Sequence, residues 1–356
     1  MDHELRLGTR GSQLALWQAN AVAQRIAAAG GPGCRIVVIK TTGDRLHDAP
    51  LSEVGGKRLF VKEIEDALLN DEIDLAVHSS KDMPAVLPAG LVIGAVLPRE
   101  DPLDAIVLPV MADGSGPLGM ADGIGSMARN GADHRPYAIS HGPSAMASVE
   151  ELVTVLGRSP SIGTGSVRRI AQLKRLFPGA TFQPIRGNLD TRLRKLDEGA
   201  HDALVLAAAG LRRLGFSSRI SFSLPADACV PAPGQGIVAV EVREADQRVR
   251  RMLSAIDDEQ ASAALTAERA LVEGLGGGCQ TPVGALARSG SGSELSLVAI
   301  VVALDGSRAV RGKTHGARTD AAAMGARLSA QLIADGADEI LSEATRAQGA
   351  VEGIQP

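Results

Sequence analysis

Short apolar runs alternate with helical patterns along the first two thirds of the chain. Strands buried on both faces give continuous apolar runs, whereas amphipathic helices repeat apolar residues every three to four positions. The predicted strands are 5–9, 36–39, 75–77, 91–97, 105–108, 161–164, 181–185, 203–206, 220–224 and 237–242. The predicted helices are one from Ser12 through Ile26, then 60–69, 149–156, 167–177, 189–196 and 208–214. This alternation predicts α/β units with mostly parallel sheets covered by helices.

The pattern changes after residue 256. A long helix is predicted over 257–273, followed by three β-like runs separated by Gly-Ser turns, and then by a helix over 321–335. The three runs are 283–287, 295–303 and 309–314. Successive short strands followed by a helix predict a small α+β domain with an antiparallel sheet.

These patterns divide the chain into three predicted domains. The first α/β domain covers 1–103 and also includes 235–255. The proline-rich segment 225–233 is predicted to connect the second domain back to the first. The second α/β domain covers 104–234, and the α+β domain covers 256–356.

Two long stretches show no period of either kind. Residues 41–58 are charged and contain two adjacent glycines, and loops of this length are often lids. Residues 109–148 are rich in glycine, alanine and methionine, which favours a surface insertion over a partner-binding or lid element.

Composition limits the classes of protein to which the chain can belong. A chain of 356 residues with 45% hydrophobic residues can form real cores, and with only 2% aromatics these must be filled by Ala, Val, Leu and Ile. The net charge of −4 argues against broad nucleic-acid binding. The glycine loops match neither a dinucleotide fingerprint nor a P-loop, so nucleotide binding is not expected.

The same features predict a cytoplasmic location. The first residues, Met1–Arg6, contain no apolar segment of a signal peptide, and the longest apolar run, 297–304, is too short to span a bilayer. The three cysteines form neither a disulfide framework nor a zinc-ligand spacing, and no metal is expected.

The stretch Asp74–Pro84 carries polar groups beyond a predicted strand end. Polar and charged residues follow Val77, and Pro84 prevents a regular continuation. Ligands of open α/β sheets bind outside the carboxyl ends of strands. Asp82 beside Lys81 is therefore either a functional carboxylate or part of a solvated loop pair.

Arg10 and Ser12 lie where the first predicted strand turns into a helix. Free N–H groups at a helix N-terminus bind anions, so this turn is a candidate anion site. Ser12 would also cap the helix, and capping alone is the alternative.

Arginines follow strand ends in the second α/β unit. Arg168 and Arg169 lie in the first turn of a helix capped by Ser166, where a cation is unfavourable unless an anion binds beside it. Arg186 follows the next strand, and Arg192 lies about one turn further on. In a chain of net negative charge, this arrangement suggests bidentate binding of carboxylates or phosphates, with a solvated helix face as the alternative.

Cys279 follows three glycines and precedes a polar pair and a proline. An accessible thiolate is a good nucleophile, which makes a covalent role plausible. Free cysteines are more often small buried hydrophobes, the role expected of Cys34 and Cys229 and the alternative for Cys279.

Seven segments of the chain resemble the porphobilinogen deaminase family, also called hydroxymethylbilane synthase. They are Thr9-Arg10-Gly11-Ser12-Gln13-Leu14-Ala15, Gly55-Gly56-Lys57-Arg58-Leu59-Phe60-Val61-Lys62-Glu63, His78-Ser79-Ser80-Lys81-Asp82-Met83-Pro84, Gly163-Thr164-Gly165-Ser166-Val167-Arg168-Arg169, Arg186-Gly187-Asn188, Pro233-Gly234-Gln235-Gly236 and Gly277-Gly278-Cys279-Gln280. Each is weak alone, but all seven in this order are specific. The resemblance covers nearly the whole chain except 109–148.

The resemblance implies a transferase of porphyrin and haem biosynthesis. The family joins four porphobilinogen molecules head to tail, each losing ammonia, and hydrolysis then releases the linear tetrapyrrole hydroxymethylbilane. It implies a dipyrromethane cofactor, made from two substrate units and attached to Cys279 through a thioether. It also implies two periplasmic-binding-protein-like α/β domains around a cleft, with a smaller α+β domain bearing the cofactor, in a monomer that binds neither nucleic acid nor membrane.

The resemblance also implies roles for individual residues. Asp82 matches the catalytic carboxylate, which assists ammonia loss and stabilises the cationic azafulvene and pyrrole N–H groups. Besides Cys279, the matching cofactor-binding residues are Lys57, Ser79, Lys81, Thr164, Ser166, Arg168, Arg169 and Gly187. The matching substrate-binding residues are Arg10, Ser12, Phe60, Arg186, Arg192 and Gln235. Each pyrrole carries an acetate and a propionate, which agrees with so many cations.

One departure is that Gly165 stands where the family pattern has serine, which removes a hydroxyl from the anion site. The alternative function is a non-catalytic two-domain binding protein for a small anionic ligand, which would have no need of Cys279. A family member without activity is a third possibility, and the intact motifs argue against it.

Overall fold

The structure is a computed structural model that describes residues 4–45, 61–110, 146–276 and 281–352. Its first elements are β1 (Leu5–Thr9), α1 (Gln13–Ala28), β2 (Cys34–Val38), α2 (Thr42–Arg45), α3 (Lys62–Leu69), β3 (Leu75–Ser79), a 3-10 turn (Ser80–Asp82), β4 (Leu91–Val96) and β5 (Asp104–Val107). The next are α4 (Val149–Leu156), β6 (Ser161–Gly163), α5 (Val167–Leu176), β7 (Thr181–Gln183), α6 (Leu189–Asp197), β8 (Ala203–Ala207), α7 (Ala208–Arg213), a 3-10 turn (Ser217–Arg219) and β9 (Phe222–Leu224). The last are β10 (Val238–Arg243), α8 (Gln247–Leu253), α9 (Glu259–Gly274), β11 (Val283–Ser289), β12 (Glu294–Val302), β13 (Ala309–Ala317), a 3-10 turn (Arg318–Asp320), α10 (Ala321–Ala334) and α11 (Ala337–Glu352).

Two five-stranded sheets share one topology. Their strand orders are β2-β1-β3-β10-β4 and β7-β6-β8-β5-β9. In each sheet the fourth strand runs antiparallel to both neighbours, and the paired strands on the other side of the sheet are parallel. The prediction of mostly parallel α/β sheets is confirmed.

Helices cover both sheets, so their central strands are buried. Apolar residues of α1, such as Val22 and Ile26, pack on one face of the first sheet, and Ile64 and Leu68 of α3 pack in a second cluster with Ala76 of β3. In the second sheet, α5 contributes Leu173 to one cluster, while α6 and α7 contribute to another. Burial on both faces explains the continuous apolar runs of the central strands. The apolar run 36–39 is an exception, because β2 is an edge strand and Val38 is 51% exposed.

The C-terminal part contains a different sheet. Strands β11, β12 and β13 form an antiparallel meander, and α9, α10 and α11 contribute to the core that packs against it. This confirms the predicted α+β arrangement, with an antiparallel sheet, after residue 256. None of the helices in the described ranges has the length and apolar character needed to cross a bilayer.

The chain crosses between the two five-stranded sheets twice, and the crossings are hydrogen-bonded to each other. The N–H of Glu100 donates to the carbonyl of Gly236 at 3.0 Å, and Arg99 Nε donates to the carbonyl of Gln235 at 2.8 Å. Arg213 at the end of α7 also donates to the Gly236 carbonyl, at 2.7 Å. The two crossings therefore form one hydrogen-bonded junction beside the Asp82 loop, because Ser80 N–H donates to the carbonyl of Ile237.

Gly236 has a conformation that this junction requires. Its φ is +88°, and a Cβ at this position would lie 2.3 Å from the carbonyl oxygen of Glu100. A side chain would therefore be strained by its backbone angle and would also push the crossings apart.

We expect Gly236→Ala to lower the thermal unfolding midpoint more than Gly292→Ala. The control glycine also has a positive φ, +61°, but a Cβ there meets nothing within 4 Å. Left-handed backbone alone costs on the order of 1–3 kcal/mol, so the clash adds to the loss at Gly236 only. Equal losses measured by calorimetry would contradict this account of the junction.

Candidate active site

The Asp82 loop is held firmly at the carboxyl end of β3. Strand β3 lies in the middle of the first sheet, and its residues Leu75–Val77 are buried. The 3-10 turn that follows ends at Asp82, and Met83 is then buried in a cluster with Val96 and Leu265. Apolar anchors on both sides of the turn fix a half-buried Asp82.

A small pocket of about 70 Å³ brings several predicted residues together. Its polar lining includes Arg10, Ser12, Gln18, His78, Ser79 and Asp82. Ser12 Oγ also accepts a hydrogen bond from Ala15 N–H at 3.2 Å, so it caps α1 as predicted. Ser79 Oγ is held by Gln18, whose Nε2 lies 2.8 Å away.

Arg10 forms an ion pair with Asp44. Arg10 Nε lies 3.1 Å from Asp44 Oδ1, and Thr41 Oγ1 donates to the same carboxylate at 2.8 Å. Burial tends to raise the pKa of Asp44, but the hydrogen bond and charge of Arg10 bring it below its ordinary value. The predicted anion site at this turn therefore faces a protein carboxylate.

Lys81 is half-buried and lies beside the junction of the crossings. Its Nζ is 3.4 Å from Gln235 Oε1. Burial lowers the pKa of Lys81 to about 8; Asp82 and Asp104 oppose the shift, while Arg169 and Arg168 add to it. Lys81 and Asp82 are thus half-buried rather than fully exposed, and the functional role of the pair stays a prediction.

Arg168 and Arg169 are buried and share one carboxylate, that of Asp104. Arg168 Nη1 lies 2.7 Å from Asp104 Oδ2, and Arg169 Nε lies 2.9 Å from Oδ1. Burial favours a higher pKa for Asp104, but the charges of the two arginines hold it well below its usual range. The alternative of a solvated helix face is wrong for these arginines, and the anion expected beside them is in part a residue of the chain.

Each of these two arginines also donates to a backbone carbonyl. Arg168 Nη1 donates to Val230 at 2.7 Å, and Arg169 Nη1 donates to Val205 at 2.8 Å. Burial raises the pKa of the nearby Cys229 thiol to about 12, which agrees with the inert role expected for it. Cys34 was expected to be buried as well, but it is only half-buried because β2 is an edge strand.

Arg192 lies in a crowded cationic group. Its Nε donates to the carbonyl of Gly187 at 2.8 Å, and Gly187 has a φ of +111°. Burial lowers the pKa of Arg192, the charges of Arg169 and Arg186 lower it further, and Asp82 counteracts them. Within the described ranges, neither Arg186 nor Arg192 forms an ion pair with a carboxylate.

Two hydroxyl residues precede the buried arginines. Thr164 is buried, and its Oγ1 accepts from Ser166 N–H at 3.3 Å. Ser166 Oγ in turn caps α5 by accepting from Arg169 N–H at 3.5 Å. A Cβ at Gly165 would lie 3.7 Å from Pro184, so the missing serine is not excluded by space.

Three predicted site residues and two predicted loops fall partly or wholly outside the described part of the chain. These residues are Lys57, Phe60 and Cys279. Most of the proposed lid at 41–58 and of the insertion at 109–148 also lies outside, and only the short helix α2 is described in the former.

Family models match almost the whole chain. Residues 5–251 match the model described as "Porphobilinogen deaminase, dipyromethane cofactor binding domain", and residues 262–334 match "Porphobilinogen deaminase, C-terminal domain".

The chain belongs to the porphobilinogen deaminase family.

Curated relatives agree over nearly their full lengths. The porphobilinogen deaminase of Syntrophobacter fumaroxidans is 41% identical over 97% of this chain and 99% of its own, and that of Moorella thermoacetica is 40% identical over 98% and 99%. Among solved structures, the chain is similar to immunogenic lipoprotein A from Vibrio vulnificus, with 11% identity, a TM-score of 0.38 and coverage of 72% of this chain and 96% of that one.

The cationic group fits the cofactor that the porphobilinogen deaminase family model names. Arg168 and Arg169 act electrostatically on Lys81, Arg169 and Arg186 act on Arg192, and the carboxylates that act on these two groups are Asp82 and Asp104. The described cations therefore exceed the described carboxylates. A dipyrromethane carries acetate and propionate groups, and its carboxylates would relieve this excess.

Motif reasoning missed two buried groups in this chain. Asp104 begins β5, and nothing in its sequence surroundings distinguishes it from an exposed strand-end acid. His78 Nε2 lies 3.0 Å from Glu241 Oε2 without hydrogen-bond geometry, and both side chains are buried. The sequence feature that could have revealed this pair is Glu241, a charged residue in the centre of the apolar strand β10.

The lowered pKa of Lys81 leads to a prediction about how the free energy of unfolding depends on pH. Because its folded pKa, about 8, is below the ordinary 10.5, the unfolded chain binds more protons between these values. The contribution of Lys81 to the free energy of unfolding therefore increases as pH rises from about 8 to about 10.5.

We expect Lys81→Met to be more stabilising, or less destabilising, at pH 7 than at pH 9.5. Urea unfolding of both proteins at the two pH values measures this difference. Lys62→Met is the matched control, since Lys62 is exposed and forms a surface ion pair with Asp66. A Lys81→Met effect that does not change with pH would contradict the assigned shift.

Proposed function

We propose that this chain condenses four porphobilinogen molecules head to tail, with loss of ammonia, to give hydroxymethylbilane. The supporting observation is that Asp82 meets cations from both five-stranded sheets. Burial lowers the pKa values of Lys81 and Arg192, and the negative charge of Asp82 counteracts both shifts. An ionised carboxylate among cations suits a substrate that carries both an ammonium group and carboxylates.

Asp82 is the proposed catalytic residue. Its carboxylate accepts hydrogen bonds from pyrrole N–H groups and stabilises the positive charge that develops as ammonia leaves. Its half-buried position at the end of a rigid strand keeps it fixed while the product lengthens.

The proposed cofactor-binding residues come from several segments of the chain. Cys279 holds the dipyrromethane covalently, and the other proposed contacts are Lys57, Ser79, Lys81, Thr164, Ser166, Arg168, Arg169 and Gly187. When bound, the dipyrromethane supplies the pyrrole carbon to which the first substrate is joined. The cations hold its carboxylates, and the hydroxyls of Ser79, Thr164 and Ser166 are the uncharged donors.

The proposed substrate-binding residues are Arg10, Ser12, Phe60, Arg186, Arg192 and Gln235. Arg186 and Arg192 are best supported, since each has guanidinium donors without a carboxylate partner in the described part of the chain. Gln235 is fully buried, and its Nε2 group already donates to Pro102 and Asp104. Its direct contact with substrate stays a prediction.

The broader proposals follow from family membership and composition. We propose a monomer in the cytoplasm, without nucleic-acid or membrane partners, divided into domains at 1–103 with 235–255, 104–234 and 256–356. A non-catalytic binding protein for a small anion is not favoured, because the family match covers both the cofactor-binding and C-terminal models.

Intact mass spectrometry tests the covalent cofactor. The purified protein is expected to exceed its sequence mass by two linked pyrrole units, and Cys279→Ser is expected to remove the addition. Cys34→Ser is the matched control, because Cys34 is half-buried on an edge strand and should leave the addition in place. An unmodified protein that is fully active would overturn the cofactor assignment.

Asp82→Asn tests the catalytic role. This variant keeps the shape of the side chain but not its charge, so we expect it to retain the cofactor mass and to lose turnover by about 10²–10⁴-fold. Product formation from porphobilinogen measures the loss, with Asp66→Asn as a control at an exposed ion pair on α3. Turnover close to that of wild type would show that Asp82 is not the catalytic carboxylate.

A further inference from the structure

Asp104 is the most highly connected buried carboxylate near the site. Its side chain is fully buried, and it accepts from Arg168, from Arg169 and, at 3.0 Å, from Gln235 Nε2. It belongs to β5, the strand through which the chain first enters the second sheet. None of the proposed catalytic, cofactor-binding or substrate-binding positions includes it.

Gln235 connects this carboxylate to the catalytic loop. Its Nε2 group donates to Asp104, and its Oε1 faces Lys81 Nζ at 3.4 Å. Lys81 is the residue before Asp82, and the backbone of Gln235 is fixed by Arg99 Nε at 2.8 Å. One side chain therefore spans the distance between the cations of α5 and the Asp82 loop.

We propose that Asp104 and Gln235 are positioning residues for the cofactor, which orient Arg168, Arg169 and Lys81 without touching it. This inference rests on the proposed function. Two buried guanidinium groups at the positive end of a helix dipole repel each other and would turn outward without a counter-charge. One carboxylate holds both in place and still leaves the group of three cations positive, so a cofactor carboxylate is attracted to a preformed site.

Asp104→Asn tests the charge. We expect a smaller fraction of purified chains to carry the cofactor mass, and kcat/KM for porphobilinogen to fall by about 10- to 100-fold, the range found when outer partners of metal ligands are removed. We also expect the alkaline limb of the pH profile, where kcat/KM decreases as pH rises, to move to lower pH. The reason is that loss of the Asp104 charge makes Lys81 easier to deprotonate. The charged groups that act on Lys81 are Asp82, Asp104, Arg168 and Arg169, and Asp104 favours its protonated form.

Gln235→Leu tests the connection while the arginine ion pairs remain. It removes the acceptor of Lys81, so we expect the same direction of shift in the alkaline limb, with a smaller loss of cofactor loading. If Asp104→Asn does not fold, Gln235→Leu alone tests the proposal. An unchanged alkaline limb in Gln235→Leu would then overturn it. Wild-type loading and an unchanged limb in both variants would also overturn it.

Asp74→Asn is the matched control. Asp74 pairs with Arg6, with Nη2 and Oδ1 2.8 Å apart, at the opposite end of β3 from Asp82. We expect this variant to lose stability but to keep cofactor loading and the pH profile. An equal loss of loading in Asp74→Asn would overturn the proposal, because the effect would then be general destabilisation. A wild-type protein with neither added mass nor activity would instead overturn the proposed function itself.

Discussion

A fully buried carboxylate, Glu268, joins the C-terminal domain to the junction of the two chain crossings. It accepts from Arg99 Nη1 at 2.6 Å, and from the N–H groups of Gly234 and Ala287 at 2.5 and 2.7 Å. A buried charge persists only when it is paired and hydrogen-bonded, and here every partner belongs to a different segment. Because Glu268 lies on α9, which ends at Gly274, this interaction also fixes the origin of the loop that carries Cys279.

The fold could be predicted largely from periodicity. Every predicted strand has a counterpart in the structure within a few residues, because apolar runs report burial directly. Helix α8 was missed because it has seven residues, of which only Val249 and Leu253 are buried, too few to show a period. The position of β10 between β3 and β4 was also beyond prediction, since the order of strands in a sheet depends on contacts between distant segments.

Sequence motifs could predict which residues form the candidate site, but they could not predict the electrostatic interactions among these residues. The pocket does contain Arg10, Ser12, Ser79 and Asp82 together. Sequence reasoning required an anion beside Arg168 and Arg169, and it could not know that Asp104, 64 residues away, partly meets that need. Arg186 and Arg192, which pair with no carboxylate among the residues that the structure describes, are therefore more informative about the ligand than the conspicuous arginine pair.

The return of a single strand, β10, to the first sheet has a consequence for how the protein is made. Strand β10 separates β3 from β4 in the first sheet, yet it follows the whole of the second sheet in the chain. On the ribosome, β1 to β4 emerge long before their missing neighbour, so the first sheet stays incomplete until Arg243 has been synthesised. The first sheet therefore cannot be obtained as a contiguous fragment, whereas all strands of the second lie between β5 and β9. A truncation before β10 would leave β3 and β4 with exposed edges prone to aggregation.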